Sequence, residues 1–331
     1  MNEELKGRCE QFIWNRDTVK LAIPWENAYF YPICASIFTD KNINADAEKL
    51  RECRKLLKSR VSVFSNFRGI SELVIVSKLA TVEDPERRLD EAVRVYRELK
   101  DHFFSSEYLP IAAMIISEAV ESCKYEEICA RTRRIYDLMK REHPFLTSSE
   151  DSIFATMLAL TPRGDEEIVS EVETCYGILK ESFLDKNAVQ SLSHVLALSD
   201  DGMRSPQERC RDTVRLFEAL KEKKYKYGTG YELATLGVLA SLPCGIDQTV
   251  REIIEASDYL KGQKGYGFFG MGRPLRMLHA GMIVSSGYMG DSQVLGGAAF
   301  NSAVSLVAAQ QAAVCAAIAA SVAAANAARS T

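Results

Sequence analysis

One sequence repeat constrains the fold of this chain more than any other feature does. It is a charged amphipathic segment that ends in an apolar residue followed by lysine. The segments close at Lys58, Lys100, Lys140, Lys180, Lys221 and Lys261. The interval is about 40 residues, which is typical of solenoids built from two-helix repeats. Because each such repeat buries its apolar faces against its neighbours, the pattern predicts an all-α protein made of stacked helix pairs.

A second and more apolar segment follows each charged one. These segments cover residues 71–79, 109–119, 152–160, 188–198, 231–241 and 274–285. A helix that is apolar nearly all round is buried on several sides, whereas a charged stripe faces solvent. We therefore predict an α-solenoid of about seven antiparallel helix pairs, similar to TPR or HEAT repeats, in which the second helix of each pair is buried.

The two ends of the chain depart from the repeat. Residues 1–288 are predicted to form the repeat domain, with residues 1–45 as an atypical pair that caps its amino-terminal end. Residues 289–331 are rich in alanine, which has the highest helix propensity, and are predicted to form a helical tail. Three interpretations of this tail stay open: soluble packing or self-association through residues 298–328, contact with a membrane, and a mobile segment.

Composition argues against several classes of partner and site. The formal net charge is −4, so nucleic acid is not an expected partner. The nine cysteines form no C-x-x-C pair, which is typical of reduced thiols in a cytoplasmic protein rather than of a zinc site. The first residues, Met1-Asn2-Glu3-Glu4, lack the basic and apolar regions of a signal peptide, which also favours a cytoplasmic location.

The loops within the pairs differ from the loops between them. Loops between pairs are acidic, small and proline-containing, as solvated turns are. Loops within pairs combine aromatic, hydroxyl and glycine residues with an occasional arginine, a composition that suits recognition. From them we predict binding through Phe64, Asn66, Phe67, Arg68, Ser105, Glu107, Tyr108, Tyr227, Tyr266 and Arg273. The alternative is structural: one aromatic per loop closes its helix pair, and the small polar residues cap the next helix.

Two of these loops could hold an anion. The run Gly265–Gly270 has the G-x-G-x-x-G form, but a helix rather than a strand precedes it, so it is not a dinucleotide fingerprint. Its backbone amides and Arg273 could still bind an anion. Arg68 could bind a carboxylate or phosphate, or could hold its turn by donating to carbonyl groups.

His102 and His143 lie near carboxylates and could bind a metal, although exposed histidines without a metal explain them more simply.

No arrangement of serine, cysteine, histidine and acidic residues identifies a nucleophile in this sequence. We therefore predict no catalytic residue, no metal and no cofactor, and we favour a protein that is not an enzyme.

Three peptides carry a family resemblance: Trp25-Glu26-Asn27, Phe64-Ser65-Asn66-Phe67-Arg68-Gly69 and Ser105-Ser106-Glu107-Tyr108-Leu109-Pro110. Together with the alanine-rich end, they resemble an uncharacterised bacterial family catalogued as a domain of unknown function, number four thousand and three. The similarity covers nearly the whole chain. It implies a bacterial protein and carries over no activity, cofactor or catalytic residue.

The leading functional hypothesis is a non-enzymatic scaffold that binds a protein or peptide partner along the loops within the pairs. One alternative is an enzyme or small-ligand-binding protein that holds an anion at Arg68 or at the Gly265–Arg273 loop. Another is association with a membrane through the tail.

Overall fold

The computed structural model describes residues 1–69, 71–200, 202–230, 232–266 and 270–288, together with positions 314, 317 and 318. In this part of the chain the regular secondary structure is entirely helical, with fourteen α-helices and two 3-10 turns. The α-helices are α1 (Glu3–Ala22), α2 (Phe30–Thr39), α3 (Ala47–Arg60), α4 (Glu72–Ala80), α5 (Pro85–His102), α6 (Leu109–Ala119), α7 (Tyr125–Glu142), α8 (Asp151–Ala159), α9 (Asp165–Leu179), α10 (Lys186–Leu198), α11 (Pro206–Glu222), α12 (Leu233–Ala240), α13 (Ile246–Lys261) and α14 (Arg273–Ser286). The 3-10 turns are Asn66–Arg68 and Ser122–Lys124.

The predicted all-α class is confirmed, and fourteen helices is the number that seven pairs require. Nearly all of the predicted tail, 289–331, lies outside the described residues.

The chain divides into two compact units. Unit 1 contains Met1–Ile13, Thr39–Asn42 and the described residues from Ser170 onward, and unit 2 contains Trp14–Phe38 and Ile43–Val169. Helices α1 and α9 therefore each contribute one part to each unit. The domain limits predicted from the sequence, 1–288 and 289–331, stay a prediction.

In unit 2 the odd-numbered and even-numbered helices form two contacting series. Helices α3, α5 and α7 pack one on the next, α4, α6 and α8 do the same, and each odd-numbered helix packs on the even-numbered helix that follows it. Every residue of α8 is buried, whereas α5 buries a single stripe: Leu89, Ala92, Val95 and Leu99. One core cluster joins α5, α6 and α7 through side chains that include Val95, Ile116 and Cys129. The second helix of each of these pairs is thus the buried one.

Unit 1 shows the same alternation. Helices α10, α12 and α14 contact in series, and α11 and α13 pack on each other and on the helices that follow them. The start of the chain belongs to this unit. The Met1 ammonium lies 2.9 Å from a carboxylate oxygen of Glu255 on α13, and the ring centroids of Phe12 and His279 on α14 are 6.2 Å apart. The first part of α1 therefore lies beside the last two described helices.

Polar side chains fix where several first helices begin. The Asp84 carboxylate accepts a hydrogen bond of 3.0 Å from Arg87 N at the start of α5. At α11, Ser205 and Glu208 form a reciprocal capping box. Each such cap contributes about 1 kcal/mol, because it satisfies backbone donors that the first turn of a helix leaves without a partner.

Cations on or just before the first helices stabilise the ends of the second helices. Lys49 donates to Val82 O at 2.8 Å, after the end of α4, and Arg131 donates to Ala159 O at 2.8 Å and Thr161 O at 2.6 Å, at the end of α8. The same contact recurs as Arg88 to Ser117 O in unit 2 and Arg204 to Ala240 O in unit 1. Because the last carbonyls of a helix lack intrahelical partners and carry partial negative charge, these contacts also hold the helices of a unit in register.

An aromatic contact links each of three loops to the first helix of the next pair. The ring of Phe67 meets that of Tyr96 edge to face at 5.2 Å, and Phe103 meets Tyr136 in the same way at 5.3 Å, both in unit 2. In unit 1, Phe183 meets Phe217 at 5.1 Å. The helix partner in each contact is the aromatic that stands four residues before the repeated lysine. In these three pairs one loop aromatic therefore serves packing, as the structural alternative predicts.

Candidate functional site

The structure separates the ten residues predicted for binding into buried and accessible groups. Four aromatic side chains are buried: Phe67, Tyr108, Tyr227 and Tyr266. Three residues are exposed and three are half-buried: Phe64, Ser105 and Arg273 in the first group, and Asn66, Arg68 and Glu107 in the second. Tyr227, Tyr266 and Arg273 lie in unit 1, and the other seven lie in unit 2.

The buried tyrosines of unit 1 make hydrogen bonds inside their own helix pairs. The Tyr227 hydroxyl bonds the Thr235 hydroxyl on α12, and burial raises the pKa of Tyr227. The Tyr266 hydroxyl lies 2.8 Å from Nδ1 of His279 on α14. A buried hydroxyl that already has a partner inside the fold offers no contact area to a ligand, so these two side chains serve structure.

Hydrogen bonds join the successive loops of unit 2 along one edge. The Asn66 amide donates to Ser106 O at 2.9 Å and to the Tyr96 hydroxyl at 3.2 Å, so the α3–α4 loop touches the α5–α6 loop. The Arg54 guanidinium bridges Glu26 in the α1–α2 loop and Glu72 at the start of α4, at 2.7 and 2.6 Å. The α3–α4 and α5–α6 loops therefore lie side by side, and Arg54 links the α1–α2 loop to the start of α4.

Each of these loops presents one fully exposed large aromatic side chain. Trp25, Phe64 and Phe104 are each 97% exposed, and Phe145 is 100% exposed. We call these four residues the aromatic row. Only Phe64 was predicted as a binding residue. Phe104 stands beside Phe103, which is half-buried and packs on Tyr136, so the two adjacent rings differ in exposure.

Trp25 also has an unusual backbone conformation. Its φ of 74° lies in the left-handed region, which bulky residues rarely occupy and which costs on the order of 1–3 kcal/mol. Two hydrogen bonds fix the chain on either side: the Tyr31 hydroxyl donates to Ile23 O at 3.1 Å and accepts from Glu26 N at 3.0 Å. The loop is thus held in a strained turn that keeps the indole in solvent.

Cationic and acidic residues are equal in number in the four loops of the aromatic row and the three residues on either side of each loop in the sequence. The cations are Lys20, Lys58, Arg60, Arg68, Lys100, Lys140 and Arg141. The acidic residues are Glu26, Glu72, Asp101, Glu107, Glu142, Glu150 and Asp151. Arg68 is half-buried. Charges of both signs thus adjoin the row in the sequence, which gives no reason to expect a strongly acidic or strongly basic partner.

A buried carboxyl group lies behind the loop that carries Phe145. Asp151 is buried, and its carboxylate accepts a hydrogen bond of 2.7 Å from Ser148 N. Burial, reinforced by the charge of Glu150, raises the pKa of Asp151 to about 7, although the Ser148 N–H and Lys140 oppose this shift. Burial also raises the pKa of the neighbouring Tyr108, with added contributions from Glu150 and Glu107.

We expect Asp151 to make the fold less stable as the pH rises from about 3.8 to about 7. In this window the folded state binds more protons than the unfolded state, so its stability falls with rising pH. Asp151→Asn keeps an oxygen for the Ser148 N–H and cannot ionise. Above pH 7 the variant should be more stable than the native protein by on the order of a few kcal/mol, and near pH 4 the two should be similar. Urea unfolding at both pH values measures the difference, and a difference independent of pH would contradict this assignment.

A cavity of about 660 Å³ lies between the starts of α3 and α5 in unit 2. Its charged lining is one cation, Lys49, and six carboxylates: Asp46, Glu48, Glu52, Glu83, Asp84 and Glu86. This charge is opposite to what an anion site needs, and neither Arg68 nor Arg273 lines the cavity. Over the residues that the structure describes, no three His, Cys, Asp or Glu side chains are grouped as metal ligands would be.

Of the helices whose residues are described, none is both long enough and apolar enough to cross a membrane. The tail residues 298–328, predicted to self-associate or to contact a membrane, lie outside the described residues except for positions 314, 317 and 318.

Comparison with known proteins identifies a matching family, and the description of that family names no activity. A family model described as a protein of unknown function, DUF4003, matches residues 15–312. The uncharacterised protein YeaA of Bacillus subtilis (strain 168) is 20% identical over 323 residues, which cover 95% of this chain and 94% of that protein. No solved structure matches the chain. The matched span includes the whole aromatic row.

Proposed function

The chain belongs to the DUF4003 family of proteins of unknown function, and we propose that it is a helical-repeat scaffold, an α-solenoid, that docks a protein or peptide partner on the aromatic row. The observation that carries this proposal is the repeated exposure of one large aromatic per loop, at 97–100%, in four consecutive pairs. Single exposed apolar residues are ordinary on protein surfaces, whereas a contiguous series of them marks an interaction site.

The aromatic row has the chemistry of a protein interface. Aromatic side chains dominate the energy of such interfaces, and charged residues surround them as a polar rim. In unit 2 the row is flanked by charges of both signs, so the rim can pair with a partner without a large electrostatic penalty. The half-buried Arg68 belongs to this rim and can donate two parallel hydrogen bonds to a partner carboxylate.

Packing contacts hold two loops of the row. Phe67, three residues after Phe64, packs on Tyr96, and Phe103, next to Phe104, packs on Tyr136. Loops ordered in advance lose little conformational entropy on association, so more of the contact energy appears as affinity. The strained turn at Trp25 has the same effect, since the fold already bears the cost of displaying the indole.

Site-specific photocrosslinking tests the proposal. The photoreactive analogue benzoylphenylalanine replaces Phe104 in the full chain, which is expressed in bacteria and irradiated in the cell. We expect one or a few covalent adducts, identified by mass spectrometry. Their yield should fall at least about 10-fold when Trp25, Phe64 and Phe145 are changed to serine, because the remaining contacts are weak. The matched control carries the analogue at Met203, an apolar residue that is 69% exposed on a loop between pairs.

Two outcomes would overturn the proposal. One is an adduct pattern at position 104 that is no stronger than the pattern at position 203. The other is a pattern that the three serine substitutions leave unchanged while the variant keeps its helical circular dichroism spectrum.

A further inference from the structure

The partner of the aromatic row can be inferred from the area, spacing and charge of the row itself. We propose that it is a second copy of this chain, whose own row lies antiparallel to the first across a two-fold axis. This inference rests on the proposed docking function and names the occupant of the same surface.

The area of the row matches what a stable dimer requires. A large aromatic side chain buries about 150–250 Å² when it is covered, so four of them bury about 600–1,000 Å². Standard protein interfaces bury about 800 Å² on each partner. The side chains of the row are almost wholly exposed in the single chain, so nearly all of this area is available to a second copy.

The spacing of the row makes it complementary to itself. Each helix pair contributes one member, and packed helices lie about 8–10 Å apart, so the members recur at a regular interval. A two-fold axis at the centre of four regularly spaced members places Trp25 opposite Phe145 of the second copy and Phe64 opposite Phe104. Every aromatic then meets an aromatic, which is the isologous contact that closed dimers use.

The charges beside the row favour this occupant over other classes. An anionic membrane surface requires a surplus of Lys and Arg, and the sequence that adjoins the row holds acidic residues as well as cations. A strongly acidic or basic protein would likewise meet like charges as well as opposite ones. A copy of the same edge carries both signs, so its cations can pair with carboxylates without a net repulsion.

Sedimentation velocity on the full chain measures the proposed association. The native chain should sediment as a dimer, with twice the 36.9 kDa mass of one chain, at micromolar concentration. Changing Trp25, Phe64, Phe104 and Phe145 to serine should raise the dissociation constant at least about 100-fold. The control variant, Met203→Ser, should remain dimeric. A reductant is included because Cys123 is exposed.

The position of the contact is tested separately. Benzoylphenylalanine at position 104 in a mixture of ¹⁵N-labelled and unlabelled chains should give mixed-isotope adducts on the peptide that contains Phe64. Adducts elsewhere in the second copy would overturn the antiparallel geometry.

The outcomes separate this inference from the proposed function. A native chain that is monomeric at micromolar concentration, or a dimer that survives all four serine substitutions, overturns the inference. If the chain is monomeric and position 104 still gives row-dependent adducts with another protein, the docking function stands and only the identity of the partner is wrong. Co-sedimentation with lipid vesicles that depends on the row would overturn both.

Discussion

Replacing Arg209 by methionine should lower the free energy of unfolding by about 3–5 kcal/mol. Arg209 lies in unit 1 and is 1% exposed. Its guanidinium bonds an Asp200 carboxylate oxygen at 2.6 Å, the Arg204 carbonyl at 2.9 Å and the Glu171 carboxylate. Removing the cation takes the positive charge of the guanidinium away from the buried Glu171 carboxylate, and the loss of that charge costs far more than the ion pair contributes.

A double variant isolates the cause. Arg209→Met with Glu171→Met removes both buried charges and keeps apolar volume, so it should recover most of the lost stability. Asp200 is partly exposed and can be solvated in this variant. Urea unfolding of the native chain and both variants gives the three free energies. A double variant as unstable as the single one would show that packing around Arg209, rather than the isolated charge, sets the cost.

Phe67→Ala and Phe64→Ala should differ strongly although the two residues stand three positions apart in one loop. Phe67 is 1% exposed and packs on Tyr96, so its truncation leaves a cavity and should cost about 3–5 kcal/mol. Phe64 is 97% exposed, so its truncation should change stability by no more than about 0.5 kcal/mol. Unfolding in urea measures stability, and sedimentation velocity measures association.

Unfolding in urea should show the larger effect for Phe67→Ala, and sedimentation velocity should show the larger effect for Phe64→Ala. Phe64→Ala should weaken association and leave stability nearly unchanged, because the row is formed by exposed side chains. Similar losses of stability in both variants would contradict the division of the loop into a packing residue and a docking residue.

The all-helical class could be predicted from the sequence because periodic burial leaves a periodic pattern. The lysine that closes each charged segment and the apolar segment that follows it predict about seven helix pairs, and the described residues form fourteen α-helices. Residues that choose helix starts, such as Asp84 and Ser205, act over three positions and are therefore visible locally. The family membership predicted from the loop peptides is likewise confirmed.

The candidate site could be predicted only in part, because the aromatic-rich loops within pairs contain both buried and exposed aromatic side chains and their composition is the same for both. The loops within pairs were identified as the edge of interest, but four of the ten predicted residues are buried aromatics. Composition does not distinguish Phe64 from Phe67 or Phe103 from Phe104. Which of the two aromatic rings is buried depends on which one reaches the first helix of the following pair. That contact joins residues about 30 positions apart, such as Phe67 and Tyr96.

Contacts between distant parts of the chain lay beyond sequence reasoning. The Met1 ammonium meets Glu255, which is 254 residues away, and Arg209 reaches Glu171 across 38 residues. No local period encodes such pairings, since they depend on how whole helices are placed. The left-handed Trp25 is similar: its conformation follows from the hydrogen bonds of Tyr31, not from the identity of the tryptophan.

The edge-to-face contacts between loops and first helices have a consequence for how such a chain can change length. Phe67 meets a tyrosine on the following pair, and Phe103 meets another tyrosine in the same geometry one pair later. Because the two contacts share their geometry, we expect deletion of residues 85–124 as a block to place Phe67 against Tyr136, where Phe103 packs in the native chain. A chain of this kind can lose or duplicate one helix pair and keep the same type of aromatic contact between the pairs that remain.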